Sequence, residues 1–164
     1  MQPKKRHQAR ILAVQVLYAW QVSQNDLIEK IKEFILKQYH QIYIDMPYFH
    51  EIIAGVIQNI IFLDQRISPC VSRKIEKLDY IEKNILRISS YEIFKRKDIP
   101  YKVIINEGIE LAKIFGSCES HKFINGVLEQ IILRKNSGTA CTKQKNHLPH
   151  QNSSLKEKNK SKNF

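Results

Sequence analysis

Residues that break regular structure are scarce in this 164-residue chain, which has five glycines and five prolines. A chain so short of breakers holds long unbroken elements, and this favours helices over many short strands. Cysteine is scarcer still. Cys70, Cys118 and Cys141 are odd in number, far apart and without C-x-x-C spacing. Neither a disulfide framework nor a zinc site is expected, and a reducing, cytoplasmic setting fits. His147-x-x-His150 lies in a polar stretch around Pro149 and makes a poor metal site. The motifs of common enzymes are missing: no G-x-G-x-x-G, no P-loop, no G-x-S-x-G, no H-E-x-x-H. No enzyme activity and no cofactor are therefore expected. Nor is a membrane partner, since no apolar run nears the roughly 18 residues of a span. The basic start followed by Ile11–Val14 has the outline of a signal peptide. Gln15 breaks that run, however, and no small-x-small cleavage site follows.

Acidic residues are also in deficit, and the net charge is +11. The excess sits at the ends. Lys4, Lys5, Arg6 and Arg10 face no acid within the first ten residues, and residues 136–164 carry six lysines against one glutamate. Basic ends on a nearly balanced body point to an acidic partner, nucleic acid above all.

Hydrophobic spacing predicts an all-α bundle of about six to seven helices. The first runs from about Pro3 to Ser23, with Leu12, Ala13, Val16, Leu17 and Trp20 inward and Ile11, Tyr18 and Val22 on a second stripe. Asn25-Asp26 caps a second helix over about 26–40, and the stretch from Tyr39 to Asp45 is weakly patterned. Pro47 opens a third that continues to about Ile67. Residues 70–77 are mixed and leave room for a short helix. Further helices are predicted from about Asp79 to Lys95, from Pro100 to Gly116, and from Glu119 or Ser120 to Lys135. The Pro100–Gly116 helix is apolar over most of its circumference and is expected to be the central one. From Asn136 onward apolar residues nearly vanish, so 1–135 is read as the folded domain and 136–164 as a disordered basic tail.

Two places carry candidate chemistry. Lys4, Lys5 and Arg6 sit in the first turn or so of a helix, where the macrodipole disfavours cations. An anion docked there reverses that sign. Arg6 and Arg10 share a face at i, i+4 spacing. On the last helix, Phe123 projects away from the core stripe, with Glu119, Lys122 and the side-chain-free Gly126 on its flank. An aromatic ring beside a lysine is a stacking platform for an unpaired base; a ring at the edge of the core is the other reading. Glycine inside a helix also hints at a close approach at Gly126. Glu92 falls on an inward stripe. It is either a general acid with a raised pKa or, more ordinarily, a residue paired with an arginine such as Arg87 or Arg96.

Long strings of residues then carry a resemblance. They are Arg10-x-x-Ala13-Val14-Gln15-x-Leu17-Tyr18-x-Trp20, Tyr48-Phe49, Ala54-Gly55-Val56, Asp64, Leu86-Arg87-Ile88, Tyr91-Glu92 and Pro100-Tyr101-Lys102-Val103. Most specific are Ile105-Asn106-Glu107 through Phe115-Gly116, and Ser120-His121-Lys122-Phe123-Ile124-Asn125-Gly126-Val127-Leu128. Over about residues 3–134 the chain resembles the NusB family of bacterial transcription antitermination factors. The resemblance implies two antiparallel helical subdomains. It implies binding to the boxA RNA of ribosomal RNA operon transcripts, together with NusE, a small-subunit ribosomal protein, and assembly with other Nus factors on RNA polymerase. The RNA-binding residues implied are Arg6, Arg10, Glu119, Lys122 and Phe123, to which the charge pattern adds Lys4 and Lys5. The implied NusE-facing residues are Tyr18, Val22, Glu76 and Glu82.

The chain departs from the family at Cys70, where a large aromatic is common, and at Gly108, which replaces a usual alanine and is expected to weaken its helix slightly. Two other functions compete. A NusB-like domain also occurs in some ribosomal RNA cytosine methyltransferases, but here no nucleotide-binding βα unit or catalytic cysteine motif follows. A protein-only helical adaptor, or a homodimer formed through the RNA-binding side, is the other.

Overall fold

The structure is a computed structural model, and it describes residues 2–24, 27–40 and 43–138. Among the described residues it holds seven α-helices and no strand. They are α1 (Gln2–Ser23), α2 (Ile28–Leu36), α3 (Met46–Gln58), α4 (Ile60–Ile67), α5 (Tyr80–Lys95), α6 (Tyr101–Phe115) and α7 (Ser120–Asn136). Two 3-10 turns, Ser68–Cys70 and Ile75–Lys77, fill the mixed stretch before α5. The expected cap at Asn25-Asp26 lies outside the described residues, as does the expected disordered tail beyond Gly138.

Local chemistry sets the helix ends. The Asp45 carboxylate accepts the Tyr48 N–H at 3.1 Å, and Pro47 follows in the first turn of α3. Asp79 accepts from the Ile81 and Glu82 N–H groups at 2.8 and 3.3 Å and opens α5. α2 stops at Leu36, short of the expected 40, and Lys37–Tyr39 turn instead. It packs mainly on α1, so little packing supports a longer helix.

The single helix expected over 47–67 is two. α3 and the segment that starts at Ile60 meet at 77°. The break is Asn59, whose side-chain amide donates to the Gly55 carbonyl at 2.7 Å. Asparagine competes in this way with the backbone ladder. The apolar 3-4 pattern runs straight across the bend because both arms bury the same face. Among the described residues, no single helix is long and apolar enough to cross a membrane.

The central helix is α5, not α6. Eleven of the 16 residues of α5 are buried, whereas α6 buries Ile104, Gly108, Leu111 and Ala112 and leaves Val103 and Ile114 exposed. The hydrophobic count misled because the inner surface of α5 is partly polar. Asn84, Arg87, Ser89, Ser90 and Glu92 are all buried there. Around α5 the other helices close a ring in the order α1, α3, α4, α7, α6, with α2 outside against α1. Thus α5 packs against both the α1 and α3 helices and the α4, α6 and α7 helices. Contacts also give the directions. Arg10 meets Glu92 while Gln21 meets Asn84, so α1 runs antiparallel to α5. Ser120 meets Glu82 while Lys135 meets the Ile93 carbonyl, so α7 runs parallel to it.

Close approach occurs at glycines, but not at the one expected. A Cβ on Gly55 would lie 2.3 Å from ring atoms of Tyr91, and one on Gly108 would lie 2.9 Å from Leu128 Cδ1. A Cβ on Gly126 would meet nothing within 4 Å. Gly55→Ala must push the Tyr91 ring aside and is expected to cost about 1–3 kcal/mol. Gly126→Ala, in an open helix interior, is expected to stabilise by roughly 1 kcal/mol. Urea unfolding of the two variants checks this; a destabilised Gly126→Ala would mean that the open space is not there.

Candidate nucleic-acid interface

The amino-terminal cations divide between surface and core. Lys4 is exposed and Lys5 half-buried, and the Lys5 carbonyl accepts the Asp45 N–H at 3.3 Å, fixing the first turns of α1 to the start of α3. Arg6 is half-buried. Its guanidinium lies 4.9 Å from the centroid of Tyr48, 3.5 Å from Asp45 and 3.7 Å from Asp98. Hydrogen bonds from Arg96 hold the Asp98 carboxyl down at about 2, so this acid is fully charged at neutral pH.

Arg10 is a correction. It is 3% exposed and cannot belong to an outer surface. Its Nε donates to Glu92 Oε1 at 2.9 Å and its Nη2 to the Tyr48 hydroxyl at 3.0 Å, and Nη1 lies 3.6 Å from Glu107. The i, i+4 spacing with Arg6 suggested that the two share a face and a ligand. A stronger signal was that Arg10 falls in line with Ala13 and Leu17, both buried. Glu92 is thus paired, as the ordinary reading had it, but with Arg10 rather than with Arg87 or Arg96. Arg87 instead makes a two-pronged bond to Asp64 at 2.8 and 2.7 Å, and Arg96 binds Glu51 at 2.7 Å. Nearby, His7 Nδ1 lies 2.6 Å from Glu107 Oε2. Sequence reasoning missed His7, Glu107 and Glu51 in these roles, since partners so far apart leave no local signal.

The start of α7 forms the second place. Phe123 has one side packed against the core, and the Arg73 guanidinium lies 5.8 Å from its ring centroid. Phe123 is a core-edge ring that carries a cation from the loop before α5. Lys122 and Glu119 are exposed and pair with each other at 3.2 Å. Arg73 has no pattern in the sequence that would single it out. Its position follows from the 3-10 turns on either side of it.

These two places are at opposite ends of the bundle. α1 begins where α5 finishes, and α7 begins where α5 begins, so about 20 Å of α5 lies between the arm and Phe123. One ligand that touches both must span that distance.

The expected partner residues gather at the Phe123 end. Tyr18 and Val22 are exposed, at 41% and 52%. The Tyr18 ring meets that of Tyr80 edge-on, with centroids 6.4 Å apart, and Glu76 is exposed nearby in sequence. Glu82 is a second correction. It is 8% exposed, accepts from Ser120 Oγ at 2.8 Å and lies 3.9 Å from Arg73, so it acts within the fold and supports the Arg73–Phe123 pair. Beside Tyr18 a groove of about 700 Å³ runs between α1 and α2, lined by Val14, Phe34, Ile81 and Phe115 among others.

Comparison with known proteins decides the family. The model of the NusB family matches residues 7–133. The chain belongs to the NusB family. A NusB transcription antitermination protein of Buchnera aphidicola subsp. Cinara cedri is 54% identical over 133 residues, covering 81% of this chain and 94% of that relative. One from Escherichia coli is 50% identical over 130 residues, covering 79% and 93%. Among solved structures, a T. maritima NusB superimposes with a TM-score of 0.70 at 31% identity, covering 78% of this chain and 90% of that one. NusB in a complex of antitermination factors NusB and NusE with dsRNA gives 0.67 at 25% identity, covering 81% and 98%. The all-α fold is that of NusB, and the relatives are named for antitermination rather than for a catalysed reaction.

The buried Arg10–Glu92 pair generates a test. Burial pushes the Glu92 carboxyl up from 4.5 to about 7, against the pull of Arg10 and with the help of Glu107. Between those values the folded chain keeps a proton that the unfolded chain has released. This contribution to stability is complete below pH 4.5 and fades as the pH rises through about 7. Its slope reaches at most about 1.4 kcal/mol per pH unit. Glu92→Gln is expected to remove that slope in urea unfolding at several pH values. Arg10→Ala is expected to cost about 3–5 kcal/mol, because it strands buried polar partners. An Arg10→Ala protein that unfolds like the wild type would refute the buried-pair account.

Proposed function

We propose that the chain works in transcription antitermination by holding a boxA RNA of ribosomal RNA operon transcripts jointly with NusE. The observation that carries this is the pairing of a cationic arm with a cation-covered aromatic ring at opposite ends of one rigid bundle. Lys4, Lys5 and Arg6 would draw the phosphates, which position the strand without reading it. Phe123 would stack on one base, with Arg73 giving up the outer face of the ring, and Lys122 and Glu119 would contact the neighbouring groups. Arg10 contributes only by fixing α1 in place. Tyr18, Val22 and Glu76 would meet NusE beside the platform, so the protein partner would complete the RNA surface. The membership of the NusB family and the solved NusB–NusE complex with RNA support this reading.

On this reading the chain is a binding protein and not an enzyme, and other Nus factors and RNA polymerase are reached through the complex. Residues 1–135 do the recognising, the basic stretch 136–164 adds non-specific attraction, and the setting is the cytoplasm. A homodimer would cover the RNA-binding side and store the protein in an inactive form.

RNA binding is expected to be weak alone and tighter with NusE. With about 3–5 phosphate contacts, log K should fall with log salt at a slope near −2 to −3.5. Phe123→Ala is expected to cost roughly 1–3 kcal/mol of RNA affinity, and Tyr18→Asp to abolish NusE binding while leaving the weak RNA binding. Titrations of labelled RNA with and without NusE check both. Equal affinity for boxA and scrambled RNA in the presence of NusE would defeat the proposal.

A further inference from the structure

A second set of cations stands on aromatic rings where α5 and α7 finish and α6 starts. Phe62 of α4 and Phe94 of α5 meet edge to face, with centroids 5.4 Å apart. The Arg66 guanidinium lies 5.0 Å from the first ring and 5.7 Å from the second. Lys95 Nζ lies 5.1 Å from Phe62. Lys135 Nζ sits between Phe94 and Tyr101, at 5.4 and 5.1 Å, and also donates to the Ile93 carbonyl.

Among the described residues, no carboxylate neutralises the charges of this cluster. Three nearby acids are engaged elsewhere, Asp64 with Arg87 and both Glu51 and Asp98 with Arg96. Among the described residues, Arg66, Lys95 and Lys135 form no ion pair with a carboxylate. By contrast, the exposed Lys37, Lys113 and Lys122 each pair with a glutamate one turn away. A ring face attracts a cation without cancelling its charge, and it restricts a long side chain that would otherwise have to be ordered on binding. Three cations so held make a pre-arranged anion surface.

Its place in the fold points to the anion. Arg6 of the arm reaches Asp98, in the turn that joins Lys95 to Tyr101. The arm and the cluster therefore flank the same turn, at the same end of α5, and the exposed Lys97 belongs to that turn. We propose that Arg66, Lys95 and Lys135 form a phosphate track that carries flanking RNA past the arm, independently of its sequence. This rests on the reading of the chain as an RNA-binding protein and extends the RNA path beyond the arm and Phe123.

The test uses the full chain with NusE and two RNAs, a minimal boxA and the same boxA extended by unrelated flanks. The wild type is expected to bind the extended RNA more tightly and with a steeper salt slope. The double variant Arg66→Gln, Lys95→Gln should lose that gain and flatten the slope on the extended RNA by about 1.4, at roughly 0.7 per phosphate on a single strand. Its binding of the minimal RNA should not change. The charge-keeping pair Arg66→Lys, Lys95→Arg should keep the gain. Lys135 is left alone because it also ties α7 to the end of α5. If urea unfolding shows the double variant to be unstable, the exposed Lys95→Gln alone should flatten the slope by about half as much. Equal affinity and slope for wild type and variant on the extended RNA would overturn the proposal. So would a variant that keeps RNA binding and loses NusE, which would make the cluster a protein contact. A wild type that binds neither RNA would instead remove the RNA-binding reading itself, and the track with it.

Discussion

The buried pair between Arg10 and Glu92 is the constraint on which the functional layout depends. An arginine and a carboxyl, 3% and 0% exposed, have been taken out of water and bond to each other inside the protein. Such a pair adds little net stability over a well-packed apolar contact, but breaking it is costly. Its geometry admits one register of α1 against α5. That register sets where Lys4, Lys5 and Arg6 emerge at one end, and where Tyr18 and Val22 emerge at the other. Arg10 thus decides where these exposed and half-buried side chains stand.

The same device recurs along α5. Glu82 holds Ser120 of α7, Arg87 holds Asp64 of α4, Glu92 holds Arg10 of α1, and Arg96, just past its end, holds Glu51 of α3. Toward α6 the contact is steric, with Gly108 letting Ser89 and Leu128 come close. A central helix gripped by directed polar contacts on four sides cannot rotate to an alternative packing as an all-apolar one could. Stacked guanidinium groups then fill out the surface, with Arg6 on Tyr48 and Arg73 on Phe123.

The helices were legible because their apolar spacing, caps and terminal glycine are local properties. The ends of α3, α5, α6 and α7 fall within a residue or two of where Pro47, Asp79, Pro100, Gly116 and Ser120 place them, apart from the bend at Asn59. That bend was hidden because the apolar stripe continues through it. The identity of the central helix was hidden for a related reason: burial of Arg87, Asn84 and Glu92 depends on partners in other helices. The same limit explains the site. Phe123 and Tyr18 stand out as apolar residues off the core stripe, whereas Arg10 and Glu82 look like ordinary surface charges until Glu92, Glu107 and Ser120 are brought to them by the fold.

Those distant partners also determine when the arm can take shape. Arg10 waits for Glu92, 82 residues further along, and His7 for Glu107, 100 residues along. Closing contacts of such long separation is entropically expensive and slows folding relative to a bundle of neighbouring helices. On the ribosome, the first helix therefore leaves the tunnel with a lone arginine on its apolar face, and nothing can bury it until most of the chain has been made. Chains cut short before α5 would expose that stripe permanently and be marked for aggregation or degradation. The amino-terminal helix, though synthesised first, is the last part of the protein to be completed.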